Sequence, residues 1–430
     1  MKTSMLFVLA LTALAGISDV RAETVAVVHA KAWTMTADTS LENATVVITD
    51  GKIVSVAAGA AAPAGARVID AKGHPVTPGL MHSATQLGLI ESSGASETID
   101  SHVTTGPLGA SFDIQYALNP NSMLIQLARA DGLTRAIVYP GGTAVAPFSG
   151  TGALIHLKES SDLLERAGIG VFVMMGGHSA GSGGSRAAEW KLLRQALDAA
   201  KTGLASPATP ATRTSEFLAL APVLAGKVPL AISTNRESDI RQSIQLASDY
   251  SLKVIIIGGA DAWLVAEELA KAKIPVLVDP QANLPGSFNT LGSRLDNAAL
   301  LHKAGVVVAT NVISGIYQSY NAGLSIREGA GLAVANGLPY IDGLRALTTV
   351  PAQIWGISDH YGQLAPGKDA DLVVWDGDPL EPSTLALNVL IAGKEVSLVT
   401  HQTELRDRYL PSTGITAITA TPLRSEPPGD

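Results

Sequence analysis

Nine histidines are the chain's main prospects for chemistry, because it contains no cysteine. Without thiols there is neither disulfide nor thiolate chemistry, so a metal would have to be held by His, Asp, Glu or Lys. No two histidines stand in H-x-H or H-x-x-x-H spacing, the arrangements that put two imidazoles on one side of a strand or helix. His82 lies in V-T-P-G-L-M-H-S-A-T-Q-L-G-L, residues 76–89, which has the outline of a metal-site strand but a single histidine. His178 sits in M-G-G-H-S-A-G-S-G-G-S-R, where the Gly- and Ser-rich stretch could wrap an anion with backbone N–H groups. Serine chemistry is not assigned, since no Ser is tied to a His and an Asp by its surroundings. Nor is a nucleotide site, since G-x-G-x-x-G is missing between a strand and a helix.

The elements that must position these residues are those of an α/β protein. In 430 residues, 47% are hydrophobic, 16% are charged and 42 are Gly, a composition that suits close packing of helices on a sheet. The net charge of −8 and the absence of a long basic run exclude a nucleic-acid surface, which needs clustered Lys and Arg. Residues 1–22 combine Lys2, an apolar core over 5–15 and the small-residue pattern Val20-x-Ala22. They read as a secretory signal peptide, so the protein is expected to be exported, to the periplasm in a Gram-negative host, with no membrane anchor after cleavage.

From residue 24 the chain alternates as short strands do, over 24–36, 44–56 and 66–73, with Asp50-Gly51 as a hairpin turn. From Gly79 onward short apolar runs alternate with helical patterns: 135–140, 170–175, 229–234, 253–259, 274–280 and 305–310. Strands apolar on both faces imply a buried parallel sheet, and six or more such units favour a closed (β/α)8 barrel of TIM type. Near the end, strand patterns return at 369–376 and 389–396, the second turning at Gly393-Lys394. The division expected is a signal peptide over 1–22 and a composite β-sandwich from 23–78 and 362–410. A (β/α)8 barrel fills 79–361, and 411–430 forms a mobile tail. Residues 205–214 read as a surface loop.

Four stretches carry a resemblance: D-G-K-I-V-S-V at Asp50, V-I-D-A-K-G-H-P-V-T-P-G-L from Val68, R-E-G-A-G-L-A-V-A-N-G-L-P from Arg327, and residues 351–380. With them the chain resembles the amidohydrolase superfamily, close to its imidazolonepropionase-like branch. That resemblance implies a (β/α)8 barrel with a small discontinuous β-sandwich and one or two divalent metals, zinc among them, at the C-terminal barrel face. The metal would turn a water into hydroxide and an Asp would take its proton. The ligands implied are His-x-His after the first barrel strand, single His residues ending the fifth and sixth strands, and an Asp ending the eighth. Two-metal members add a bridging carboxylate or carboxylated Lys.

Carried onto this sequence, those positions hold Ala84 and Gln86, Asn235, Gly258 and Ile313, with Asn311 the nearest polar residue to the last. His82 stands two places upstream of the first ligand position. Ala and Gly offer no side-chain electron pair, neutral amides are poor zinc ligands, and Asn is no general base. No cofactor is therefore expected. The polar residues left around the barrel mouth are Thr85, Gln86, His178, Asn235, Arg236 and Asn311, a set suited to a small amide or carboxylate ligand. His102 is a further histidine near that mouth, and Glu91, Glu97 and Asp113 are expected to be solvated. The expected function is that of a non-catalytic paralogue acting as a partner subunit of an active amidohydrolase, in a homo- or hetero-oligomer. The alternatives are a hydrolase of C–N bonds using an atypical site and a small-molecule binding protein.

Overall fold

The computed structural model describes residues 23–176, 182–205, 214–313 and 317–413. The signal-peptide segment 1–22, His178 and nearly all of the tail therefore lie outside the described residues, as does most of the loop at 205–214. The chain opens with five strands, β1 (Thr24–Ala32), β2 (Leu41–Thr49), β3 (Lys52–Ala58), β4 (Arg67–Asp70) and β5 (Pro75–Pro78). The Asp50-Gly51 turn joins β2 to β3 as expected, both residues having positive φ, +50° and +75°. Such a pair gives a turn whose twist matches the strands.

Eight strands then form the barrel: β6 (Leu80–Thr85), β7 (Leu133–Val138), β8 (Phe148–His156), β9 (Leu164–Met174), β10 (Leu230–Thr234), β11 (Val254–Gly258), β12 (Val276–Val278) and β13 (Val308–Thr310). They are hydrogen-bonded in chain order from β6 to β13. One departs from the expected all-parallel barrel. β8 runs antiparallel to both β7 and β9. The links on either side of it, 139–147 and 157–163, hold no helix, and a connection too short for a crossover returns the chain antiparallel. β6 and β13 face each other without a continuous ladder. The Ser83 hydroxyl donates to the Thr310 carbonyl at 3.4 Å, and the carbonyls of Ala346 and Leu347 accept from Thr310 and Met81, so the barrel is nearly closed.

Its interior is packed solid. Ala84, Ile137, Phe172, Ile255, Leu277 and Ala309 meet there, one from each of six strands. Tyr139 stacks on Phe172 at 5.1 Å, and Phe172 stacks on Trp355 at 5.7 Å, giving an aromatic column along the lumen. A second layer of Val, Leu and Ile from β9–β13 meets the surrounding helices.

The last strands, β14 (Leu372–Trp375), β15 (Ala386–Ile391) and β16 (Lys394–Glu395), return to the first five. β14 pairs with β5, so both chain ends share one sheet of order β16-β15-β14-β5-β1-β2-β3, with β4 on β1. Three details differ from expectation. The eight strands are hydrogen-bonded into one continuous sheet rather than two stacked ones, β1 serving β2, β4 and β5 along its irregular length. The second hairpin turns at Ala392-Gly393, one residue early, because those two take positive φ. Finally, a helix covers His401–Thr413, so the first residues assigned to the tail are helical, and so are the last of the composite domain.

The two sheets join at the N-terminal end of the barrel, around Arg135. Its guanidinium, almost wholly buried, reaches Glu165 at 2.7 Å, Asp369 at 2.7 Å and Asp371 at 2.6 Å, and lies 4.4 Å from the Tyr361 ring. His156 adds a 3.1 Å contact to Asp371. Burial alone would raise the Asp371 carboxyl, but Arg135 and His156 outweigh it and hold it at about 2.

Candidate functional site

The C-terminal ends of the barrel strands form the mouth, where the resemblance places chemistry. β10 is followed directly by Asn235, whose carbonyl accepts from the Asp261 N–H at 2.9 Å and whose side-chain Oδ1 accepts from the Ala260 N–H at 3.3 Å. The amide is thereby turned onto the end of β11. There Gly258 adopts φ +101°, and a Cβ on it would stand 2.6 Å from Asn235 Oδ1. A side chain at 258 is excluded twice, by the backbone region and by the neighbour. The two positions interlock: the amide of one fills the space that the other's side chain would need.

A second interlock follows on β12 and β13. Asp279, directly after β12, is mostly buried. One of its oxygens accepts from the backbone of Gln281 and Ala282, and the other from the Ile313 N–H at 2.9 Å. Burial raises its carboxyl above the ordinary value against the pull of these hydrogen bonds. The segment that would carry the last acidic ligand is thus tied down through its backbone by a carboxylate from the neighbouring strand. Asn235, Gly258, Asp279, Arg294, Asn297 and Ile313 surround a cavity of about 130 Å³, room for a few waters or a small polar group. Arg294 is bidentate to Asp296 and lies over the Trp263 ring, so its charge is already matched.

The residues from β6 do not join this cavity. Ala84 is fully buried in the lumen core. Thr85 is also buried, its hydroxyl accepting from the Leu87 N–H and its carbonyl from the Tyr139 N–H. Gln86 packs its amide against Gly141, near the Ser101 hydroxyl. Gly141 lines a separate cavity of about 250 Å³ with His102, Thr104, Thr143, Ser149 and Met174. His102 Nδ1 is 3.5 Å from the Ser101 hydroxyl. Arg236 is the half-buried N-cap residue of the helix Glu237–Tyr250. Asn311 is almost wholly buried and, although its backbone N–H reaches Val278, neither amide atom of its side chain has a partner among the described residues. Of the six polar residues expected to share a pocket, His178 lies outside the described residues and the other five are dispersed: Asn235 lines one cavity, Gln86 flanks another, Arg236 caps a helix, and Asn311 and Thr85 are inside the wall. Asp113, expected to be solvated, instead caps the short helix Ile114–Ala117 by accepting from Gln115.

His82 is fully enclosed in β6. Its Nδ1 accepts from the Ala84 N–H at 3.3 Å and its Nε2 has no partner. Burial drops its pKa to about 3, so the ring is neutral and serves the wall. Among the described residues no group of three or more His, Asp or Glu could hold a metal. Three or four such donors are what a zinc site requires. With a glycine, an alanine, an isoleucine and two amides at the ligand positions, the donor set does not fit the divalent centre that the resemblance implies.

Sequence reading missed two features here. Asp279 falls within the apolar run 274–280 and carries no expected role; its only signal is a lone acid at the end of the seventh barrel strand. The other is the run Gly177 to Gly181, which spells G-x-S-x-G three residues beyond β9; it lies outside the described residues.

The family model described as "Amidohydrolase family" matches residues 240–401. An amidohydrolase of Hapsidospora irregularis, tasK, is 44% identical over 57 residues, a segment covering 13% of this chain and 6% of that protein. Among solved structures, an amidohydrolase from Thermotoga maritima aligns over 87% of this chain and 99% of its own, with TM-score 0.78 and 24% identity. Molinate hydrolase aligns over 94% of this chain and 99% of its own, with TM-score 0.55 and 16% identity. Across residues 240–401 the chain carries the sequence pattern of the amidohydrolase family, and across most of its length it carries the fold of solved amidohydrolases.

Proposed function

We propose that this chain is a non-catalytic amidohydrolase, of the imidazolonepropionase-like branch, exported and working as a partner subunit of an active homologue. The observation that carries this reading is the interlock of Asn235 with Gly258 and of Asp279 with Ile313. A site that had merely lost one ligand would keep the space and the remaining donors. Here the Asn235 amide takes the place of a side chain at 258, whose positive φ bars one, and Asp279 holds the backbone of Ile313. What the scaffold still offers a partner is a folded surface, together with two small polar cavities at the mouth.

Metal analysis of the purified mature protein tests the first half: divalent metal well below one equivalent is expected, unchanged after dialysis against zinc and washing. Stoichiometric zinc that a chelator removes together with hydrolysis of N-acyl amino acids would defeat it. Co-expression with an intact His-x-His homologue from the same host tests the second half, with co-purification as the expected result and independent elution as the contrary one.

A second reading, hydrolysis without metal, is favoured by one observation, the G-x-S-x-G run at 177–181 behind β9. That spacing places a serine on a strand-to-helix turn in serine hydrolases. Labelling of Ser179 by a fluorophosphonate, lost in Ser179→Ala, would support it over the non-catalytic reading.

A further inference from the structure

A large concavity lies at the opposite end of the barrel from the mouth. Between the starts of β9 to β13 lies a cavity of about 700 Å³, within the size range of sites that enclose small organic ligands. Its floor is apolar, made by Ile169, Leu252, Ile255, Leu269, Val306 and Trp355. Its lining includes four cations and no acidic residue: Arg166 on β9, then Lys227, Lys253 and Lys273, which stand one to three residues before β10, β11 and β12. The three lysines are exposed, and none of the four is in an ion pair among the described residues. Arg166 spends one N–H on the Trp355 carbonyl at 2.8 Å.

Part of this pattern has an ordinary cause. Each lysine follows the C-terminus of a helix, Ser215–Leu224, Glu237–Tyr250 and Ala266–Ala272, where a positive charge suits the helix dipole. That does not account for the concavity, nor for three neighbouring lysines facing one apolar floor with no carboxylate among them. Like charges so placed repel one another until a counter-charge arrives.

We propose that this basal cavity is a ligand site for an apolar-chain anion, the chain lying on the floor and its anionic head among the lysine ammonium groups. The site is separate from the mouth, so its occupancy does not depend on whether the mouth is catalytic. It also gives the barrel a binding function apart from the mouth.

The test uses the full mature protein and decanoate as probe, followed by calorimetry and by tryptophan fluorescence, with decanol and decyltrimethylammonium as matched neutral and cationic chains. Saturable one-to-one binding of decanoate below its micelle concentration is expected, with decanol weaker by on the order of tenfold and the cation weaker still. Replacing Lys227, Lys253 and Lys273 together by Glu should weaken decanoate by about tenfold or more, and by Gln by a few-fold, while decanol changes little. The Gln variant keeps the comparison open if the Glu variant folds poorly. Trp355→Phe should remove most of the fluorescence response while leaving binding heat in place. Equal affinity for decanoate and decanol, insensitivity to both lysine variants, or uptake only above the micelle concentration would each overturn the proposal.

Discussion

Two sets of buried polar groups in this barrel are handled in opposite ways. At the base, Arg135 is enclosed by three carboxylates, with His156 and Tyr361 completing the shell, so every charged group there has a partner within hydrogen-bond distance. Elsewhere in the barrel, neutral groups are enclosed without partners among the described residues: both amide atoms of Asn311, Nε2 of His82, Oγ1 of Thr234 and Nε1 of Trp355. Buried polar groups left unpaired cost about 1–3 kcal/mol each, so natural cores keep them few. Thr234 closes β10 and Asn311 directly follows β13, on the side where the resemblance places chemistry, whereas the Arg135 network joins two sheets built from distant parts of the chain.

Variants can break that contrast, and the largest effect belongs to the base. Arg135→Met should leave Asp369, Asp371 and Glu165 facing one another and lower the unfolding free energy by about 3–5 kcal/mol in urea titration. A loss below about 1 kcal/mol would mean that the network is no more than a surface pair. Next comes the interlock at the mouth. Gly258→His should cost about 2 kcal/mol or more, from positive φ and the collision with Asn235, and should bring no zinc with it. A stable Gly258→His protein that retained stoichiometric zinc would show that the site was merely short of one ligand.

Acid separates the two regions by pH. His82 has its pKa lowered from 6.5 to about 3, so between those values the unfolded chain binds the proton that the folded one refuses. Its stabilising contribution is complete above 6.5 and falls as pH drops, by at most about 1.4 kcal/mol per pH unit. Asp371, lowered from 3.8 to about 2, loses its contribution only as pH falls below about 4 and toward 2. His82→Leu should therefore flatten the stability profile between pH 6 and 4 in thermal melts and leave the steeper acid limb; an unchanged profile would contradict a buried neutral ring. The smallest effect is expected from Asn311→Leu, which removes two unpaired polar atoms. It should be neutral or stabilising by about 1 kcal/mol, whereas clear destabilisation would mean that the amide has a partner such as an enclosed water.

The same contrast explains what the sequence could disclose. Runs such as V-I-I-I-G and V-V-V-A-T announce buried parallel strands because both faces must be apolar, and they appear as β11 and β13. β8 escaped because F-S-G-T-G-A-L-I-H has two glycines where bulk was expected; Gly150 and Gly152 admit the Phe112 carbonyl and the Phe172 ring at contact distance. The replaced residues at the ligand positions could be read from register, since P-G-L and L-G fix the frame around Ala84 and Gln86. Their consequence could not. That Asn235 occupies the space beside Gly258, and that Asp279 holds the backbone of Ile313, are relations across strands that spacing along one strand does not encode. The Arg135 network was equally hidden, because its partners lie far away in sequence, at 165, 369 and 371.

The sharing of one sheet by both chain ends carries a consequence for how the protein is made. β5 pairs with β1 on one side and with β14 on the other, and the Gly51 turn rests against the carbonyl of Ala392. When the ribosome has produced β1 to β5, one edge of that sheet has no partner, and none arrives until nearly three hundred residues later. Through that interval an unpaired edge is open to other nascent chains. Any truncation that stops before residue 372 would leave it open for good.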